Sequence, residues 1–100
     1  MAQDIKTADI AIIGTGPAGI SAAITAKIRN KEILLFGAEP VSSKVAKAHR
    51  ILNYPGLPAV SGEELAQAYK RHWTNCRFAN YEKRVHAVYA MGSYFAIQAG

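Results

Sequence analysis

The sequence predicts an α/β fold: a parallel βαβ unit, then a second helix and a C-terminal β-hairpin. Three observations carry this expectation. Two short apolar runs, Ile10–Ile13 and Ile33–Phe36, flank an alanine-rich stretch. The segment Gly14–Gly19 punctuates the passage from the first run into that stretch. Period-two patterning returns near the end of the chain.

Ile10, Ala11, Ile12 and Ile13 are apolar without interruption, the pattern of a strand buried on both faces within a parallel sheet. A helix is expected from about Pro17 to Lys27. Proline suits a first helical turn, where its missing N–H has no intrahelical partner to lose. Ala18, Ala22, Ala23 and Ala26 keep the helix thin, so that it can lie close to a sheet. Lys27, Arg29 and Lys31 bring positive charge to its C-terminal end, where it complements the helix dipole. Ile33, Leu34, Leu35 and Phe36 form the second strand, and strand–helix–strand in this order makes a right-handed crossover.

Gly37 to Pro58 lacks periodicity and carries Pro40, Pro55, Gly56 and Pro58, so it reads as one long loop. A loop of that length in a compact domain usually has a task. Ser61 and Glu64 form an S-x-x-E capping box that starts the next helix. Leu65, Ala68, Tyr69, His72, Trp73 and Cys76 recur at helical spacing as its expected buried face. Arg77–Ala79 reads as a third parallel strand. Val85–Tyr89 and Tyr94–Gln98 read as a hairpin joined around Gly92 and Ser93.

The chain has 100 residues, half of them hydrophobic and 19% charged, which is the composition of one globular domain and excludes a disordered or fibrous chain. The net charge is +5, and Lys44, Lys47, His49 and Arg50 lie between Glu39 and Glu63 with no acid among them. Such a stretch is either a solvated loop or a surface for an anionic partner: nucleic acid, an acidic protein or a cofactor phosphate. A single cysteine, Cys76, excludes an internal disulfide and a multi-cysteine zinc site. His49, His72 and His86 show no metal-ligand spacing, so no metal is expected. Met1 to Ala8 has no apolar core of a signal peptide, and Ile10 to Ile28 is too interrupted by glycine, proline and polar residues for a membrane span. A cytoplasmic location is the default expectation, without membrane or nucleic-acid partners.

Gly14-Thr15-Gly16-Pro17-Ala18-Gly19 matches G-x-G-x-x-G in the context that gives it meaning, after an apolar strand and at the start of a helix. Gly14 permits the tight turn, Gly16 lets a pyrophosphate reach the backbone, and Gly19 lets helix and sheet pack closely. The helix N-terminus offers unpaired N–H groups and partial positive charge. The unit is therefore a Rossmann-like dinucleotide site. Dinucleotide folds usually carry an acid at the end of the second strand to bond a ribose hydroxyl. Here Phe36-Gly37-Ala38 offers none, and the first acid is Glu39, which either reaches the ribose or faces solvent. The motif alone leaves FAD and NAD both open.

Two segments together resemble the N-terminal part of the thioredoxin reductase family of flavoproteins: Ile10 to Gly19, IAIIGTGPAG, and Asn53-Tyr54-Pro55-Gly56 followed by Ser61-Gly62-Glu63-Glu64-Leu65. The resemblance spans essentially the whole chain. It implies that residues 1–100 are the N-terminal portion of an FAD-binding domain. By that resemblance Gly14, Thr15, Gly16, Pro17, Ala18 and Gly19 contact the FAD pyrophosphate, and Phe36, Gly37, Ala38 and Glu39 border the adenosine. Lys44 and Val45 stand where members commonly have Gln-Leu beside the FAD; the lysine departs from that pattern and leaves a backbone contact open. Asn53 matches an asparagine near the flavin, against a plain reading as a turn residue ahead of Tyr-Pro-Gly. The stretch Arg84–Gln98, with Tyr89-Ala90-Met91-Gly92-Ser93-Tyr94-Phe95, is similar to a clostridial branch that takes electrons from ferredoxin.

Family members also carry a C-x-x-C dithiol, many a second glycine motif for NADPH, and a late G-D segment that completes the FAD site. None occurs in these residues, and Cys76 is read as core packing. The chain is thus expected to be the leading piece of a longer flavoenzyme. Alone it should be inactive, and an unpaired edge of Ile10–Ile13 should make it prone to associate. The whole enzyme is expected to be a homodimer passing electrons from reduced FAD to a dithiol and then to thioredoxin or a similar protein disulfide, with NADPH or ferredoxin as donor. The alternatives are a ferredoxin–NADP reductase-like flavoenzyme without the dithiol, a non-catalytic dinucleotide-binding module and an NAD-binding protein.

Overall fold

The computed structural model describes residues 6–37, 43–76 and 79–100. A parallel sheet runs in the order β1 (Ile10–Ile13), β2 (Ile33–Phe36), β3 (Ala79–Tyr81). Ile10 to Ile13 pair in register with Ile33 to Phe36, and Leu34 to Phe36 pair with Ala79 to Tyr81. The third strand is therefore present but starts where the sequence reading ended it; Arg77 and Phe78 lie outside the described residues.

Helix α1 (Pro17–Ile28) makes the crossover between β1 and β2. Ala23 and Ala26 bury against Ile33 and Leu35, with Ile12 packed alongside. Their small side chains let the helix lie close to the sheet; Ala18 and Ala22 face outward and take no part. The helix stops at Asn30, which adopts φ 61°. Its N–H donates to the Lys27 carbonyl, and the Lys31 N–H to that of Ala26. Together these form the paired-bond helix stop that asparagine tolerates better than bulkier residues.

The expectation that β1 is buried on both faces does not hold. Ile10 is 40% and Ile13 55% exposed, while Ile33, Leu35 and Phe36 of β2 are buried. The cause is position: β2 is central, whereas β1 is an edge strand with Ile12 turned toward α1. Among the described residues its outer edge carries no strand.

The long loop also needs correction, because it contains a short helix, α2 (Ser43–Lys47). Val45 anchors it in a second core with Ile20 of α1 and with Leu65, Ala66 and Tyr69 of α3 (Gly62–Cys76). Beyond α2 the backbone folds back on itself: Ile51 bridges Val60, and Tyr54 bridges Leu57 around Pro55-Gly56. Gly56 has φ +89° and the Leu57 N–H donates to the Tyr54 carbonyl at 3.0 Å, a turn that requires glycine where it stands.

The capping box forms as expected. The Glu64 N–H donates to Ser61 Oγ and the Ser61 N–H to Glu64 Oε1, each at 3.1 Å. The buried face of α3 is rotated from the expected one. Gly62, Leu65, Ala66 and Tyr69 are buried, Ala68, Trp73 and Cys76 are half-buried, and His72 is exposed. Periodicity identifies the stripe, but the partners α1 and α2 decide its centre, and the imidazole goes to water.

Strands β4 (Val85–Ala90) and β5 (Phe95–Ala99) form the expected hairpin as a separate antiparallel sheet, closed by Met91 and Tyr94 around Gly92. Among the described residues no helix is long and apolar enough to cross a membrane.

Candidate dinucleotide-binding site

Parallel strands place all their carboxyl ends on one edge of a sheet, where ligands bind in open α/β folds. Here that edge is made by Ile13, Phe36 and Tyr81, followed by Gly14 and Gly37. The Gly14 N–H donates to the Phe36 carbonyl at 2.8 Å, and the Gly37 N–H to the Tyr81 carbonyl at 3.1 Å. The sheet ladder thus continues past the strand ends and fixes both glycines.

From Gly14 the chain turns sharply into α1. Gly14 has φ +119°, which disfavours any side chain. A Cβ on Gly19 would fall onto the Gly14 carbonyl, 2.8 Å from its carbon, so the first turn of α1 can rest on the strand end only with glycine there. Gly16, the N-cap, has open space where its Cβ would be and supplies no side-chain cap. The first intrahelical bond runs from the Ile20 N–H to the Gly16 carbonyl. The N–H groups of Ala18 and Gly19 therefore have no acceptor within the helix. No acid stands in the first turn. An open cradle of backbone donors without negative charge fits an anionic pyrophosphate.

A model of the FAD binding domain family matches residues 9–98. The chain belongs to that family. As an FAD binding domain it is 46% identical, with a TM-score of 0.87, to the crystal structure of a ferredoxin-flavin thioredoxin reductase from Clostridium acetobutylicum, over 95% of this chain and 33% of that one. The thioredoxin reductase of Lactococcus lactis superposes with a TM-score of 0.84 at 27% identity, covering 93% of this chain and 31% of the other. Among curated relatives, the 34.2 kDa protein in the rubredoxin operon of Clostridium pasteurianum is 34% identical over 86 residues. The alignment covers 81% of this chain and 28% of that relative, so the FAD binding domain spans well under half the length of the proteins it matches.

The residues read from the sequence fall into three groups. Gly14 to Gly19, Phe36 and Gly37 come together at the carboxyl edge of the sheet, while Ala38 and Glu39 lie outside the described residues. Thr15 is only 6% exposed, so its side chain is packed inward and the backbone is what the turn presents. Val45 likewise gives its side chain to the core, and Lys44 beside it is exposed on α2. Asn53 is exposed and stands just before the Tyr54–Leu57 turn. Tyr54 ties that turn to the helical core through a tilted ring contact with Tyr69, centroids 6.3 Å apart. Among the described residues the buried Tyr69 hydroxyl finds no hydrogen-bond partner. Burial, and then the neighbouring Tyr54 hydroxyl, hold it above the ordinary tyrosine range.

Sequence reasoning missed Tyr81. Its ring stacks on Phe36 at 5.4 Å between centroids, on the ligand edge of the sheet. Placing the third strand at residues 79–81 would have revealed it, since the last residue of a parallel strand lies at that edge.

Gly62, noted as part of a family motif, has a steric reason. A Cβ there would lie 2.5 Å from the Ala48 carbonyl oxygen and 2.9 Å from its nitrogen. The α3 N-terminus thus abuts the chain leaving α2. Among the described residues no group of His, Cys, Asp or Glu gathers to hold a metal.

Proposed function

We propose that this chain, residues 1–100 of the N-terminal portion of an FAD-binding domain, holds the pyrophosphate and adenosine of FAD in a flavoprotein oxidoreductase of the thioredoxin reductase type. The observation that carries the reading is the open, acid-free turn in a chain 46% identical over 95% of its length to a ferredoxin-flavin thioredoxin reductase. Backbone groups of Gly14 to Gly19 hold the pyrophosphate. Phe36, Gly37, Ala38 and Glu39, joined by Tyr81, border the adenosine. The backbone of Lys44 and Val45 flanks it, and Asn53 serves the flavin end.

Bound FAD supplies the two-electron redox chemistry by which such an enzyme reduces a protein disulfide through a dithiol. Thioredoxin is the protein substrate and ferredoxin the electron donor, with NADPH the competing donor. The working protein is a cytoplasmic homodimer. The second reading is a ferredoxin–NADP reductase-like enzyme of the same fold, distinguished from the first by whether the full-length protein carries a C-x-x-C dithiol.

The test uses the full-length protein, purified and examined for a flavin spectrum, then assayed for thioredoxin-disulfide reduction with reduced ferredoxin or NADPH. A flavin spectrum with ferredoxin-driven thioredoxin reduction is expected. A colourless protein overturns the FAD assignment. Flavin with electron transfer between ferredoxin and NADP, and none to thioredoxin, selects the second reading.

A further inference from the structure

Dinucleotide folds commonly place a carboxylate at the end of the second strand, where it accepts a ribose hydroxyl. The corresponding place here is position 37, directly after β2. Glycine is not there for backbone reasons, because Gly37 is not among the glycines with positive φ. Its cause lies across the sheet. A Cβ on Gly37 would stand 2.7 Å from Thr15 Oγ1 and 3.1 Å from Thr15 Cβ, and closer still to Thr15 Cγ2.

Neither partner can move aside easily. Position 37 is pinned by its N–H bond to Tyr81, and the preceding Phe36 carbonyl is held by the Gly14 N–H. Thr15 is 6% exposed, and a β-branched side chain is stiff about χ1, so rotation exchanges one heavy atom for another in the same space.

We propose that Thr15 and Gly37 are a coupled specificity pair. The Thr15 side chain fills the space at the end of β2 into which a ribose-bonding carboxylate would project, and position 37 accepts such a group only when Thr15 is cut back. The proposal rests on the dinucleotide site being the FAD site argued above. It makes residue 15, inside the phosphate turn, the element that decides what the adjacent strand end offers the ribose.

The test is a cycle in the full-length protein: wild type, Thr15→Gly, Gly37→Glu and the double variant. Each is titrated as apoprotein with FAD and with FAD whose adenosine carries 2′-deoxyribose. Gly37→Glu alone should weaken FAD binding roughly tenfold, the order expected for overpacking a filled site. The double variant should recover most of that loss. It should also favour FAD over the deoxy analogue by about tenfold more than Thr15→Gly does, as a carboxylate–hydroxyl bond predicts.

Gly37→Glu binding as tightly as wild type, with the same gain in 2′-hydroxyl dependence, overturns the exclusion by Thr15. A double variant with no such gain overturns the aim of position 37 at the ribose. A parallel cycle with Gly37→Ala, read as Tm, tests the steric coupling without ligand: the drop caused by Gly37→Ala should shrink in the Thr15→Gly background. Wild type that binds no FAD removes the FAD reading and the ribose statement with it, while the Tm cycle still decides whether Thr15 excludes a side chain at 37.

Discussion

In the βαβ-and-helix body Ile20, Ala23 and Leu35 are 1% exposed or less, whereas in the β4–β5 hairpin Val88, Tyr89, Tyr94 and Phe95 are between 49% and 70% exposed. Both regions are rich in apolar residues. The body gathers them from distant parts of the chain: α1 lies on the sheet, α2 and α3 close on α1, and the clusters exclude water. The hairpin satisfies its backbone through neighbours in sequence, pairing Val88 with Ile97 and Ala90 with Phe95, and leaves residues on both faces exposed, since Val88 and Tyr89 point to opposite sides. Tertiary burial stabilises the first; a local ladder and cross-strand pairs stabilise the second. Substitutions should therefore act very differently in the two.

The largest effect is expected at the centre of the body. Leu35→Ala should lower unfolding free energy by about 2–5 kcal/mol in a denaturant titration followed by circular dichroism, because the cavity cannot collapse between α1 and the sheet. Gly62→Ala comes next, at about 2 kcal/mol, because its methyl meets backbone atoms of Ala48 that cannot rotate away. A smaller loss would show that α2 shifts freely against α3.

Ser61→Ala should cost about 1 kcal/mol through loss of the cap. It should also change the pH profile. Hydrogen bonds from the Ser61 backbone and side chain hold the Glu64 carboxyl below its ordinary range. A folded-state value below the unfolded one stabilises above the unfolded pKa and is lost as pH falls through the folded pKa. Ser61→Ala removes the side-chain contribution and keeps the larger one from the backbone N–H, so it should lessen that acid-side dependence without abolishing it, which Tm measured against pH will show. The smallest effect belongs to the hairpin: Phe95→Ala, at 70% exposure, should stay within about 0.5 kcal/mol. A loss comparable with Leu35→Ala would mean that hairpin and body share a core after all.

Features governed by neighbours in sequence were legible. The Gly14–Gly19 turn, the Ser61–Glu64 cap and the Gly92 hairpin depend on residues a few positions apart, and each forms as read. Features governed by partners across space were not. Five residues of α2 carry too little intrinsic helix preference to announce themselves; Val45 burial and the contact at Gly62 hold them. The centre of the α3 stripe depended on where α1 and α2 lie, which periodicity does not contain. The sequence showed a missing acid at position 37 but not why, because the reason is the Thr15 side chain in the turn that follows the neighbouring strand. Tyr81 escaped notice because a strand of three residues has almost no pattern.

Trp73 packs against both buried clusters at once, and it is the sole tryptophan of the chain. Neither the layer between α1 and the sheet nor the layer between α1, α2 and α3 can open without altering what surrounds that indole. Trp73 thereby touches both layers, and a single emission spectrum reports on both. If emission from Trp73 and the helical circular dichroism signal melt together, the body behaves as one foldon; if emission shifts first, its two layers part in sequence.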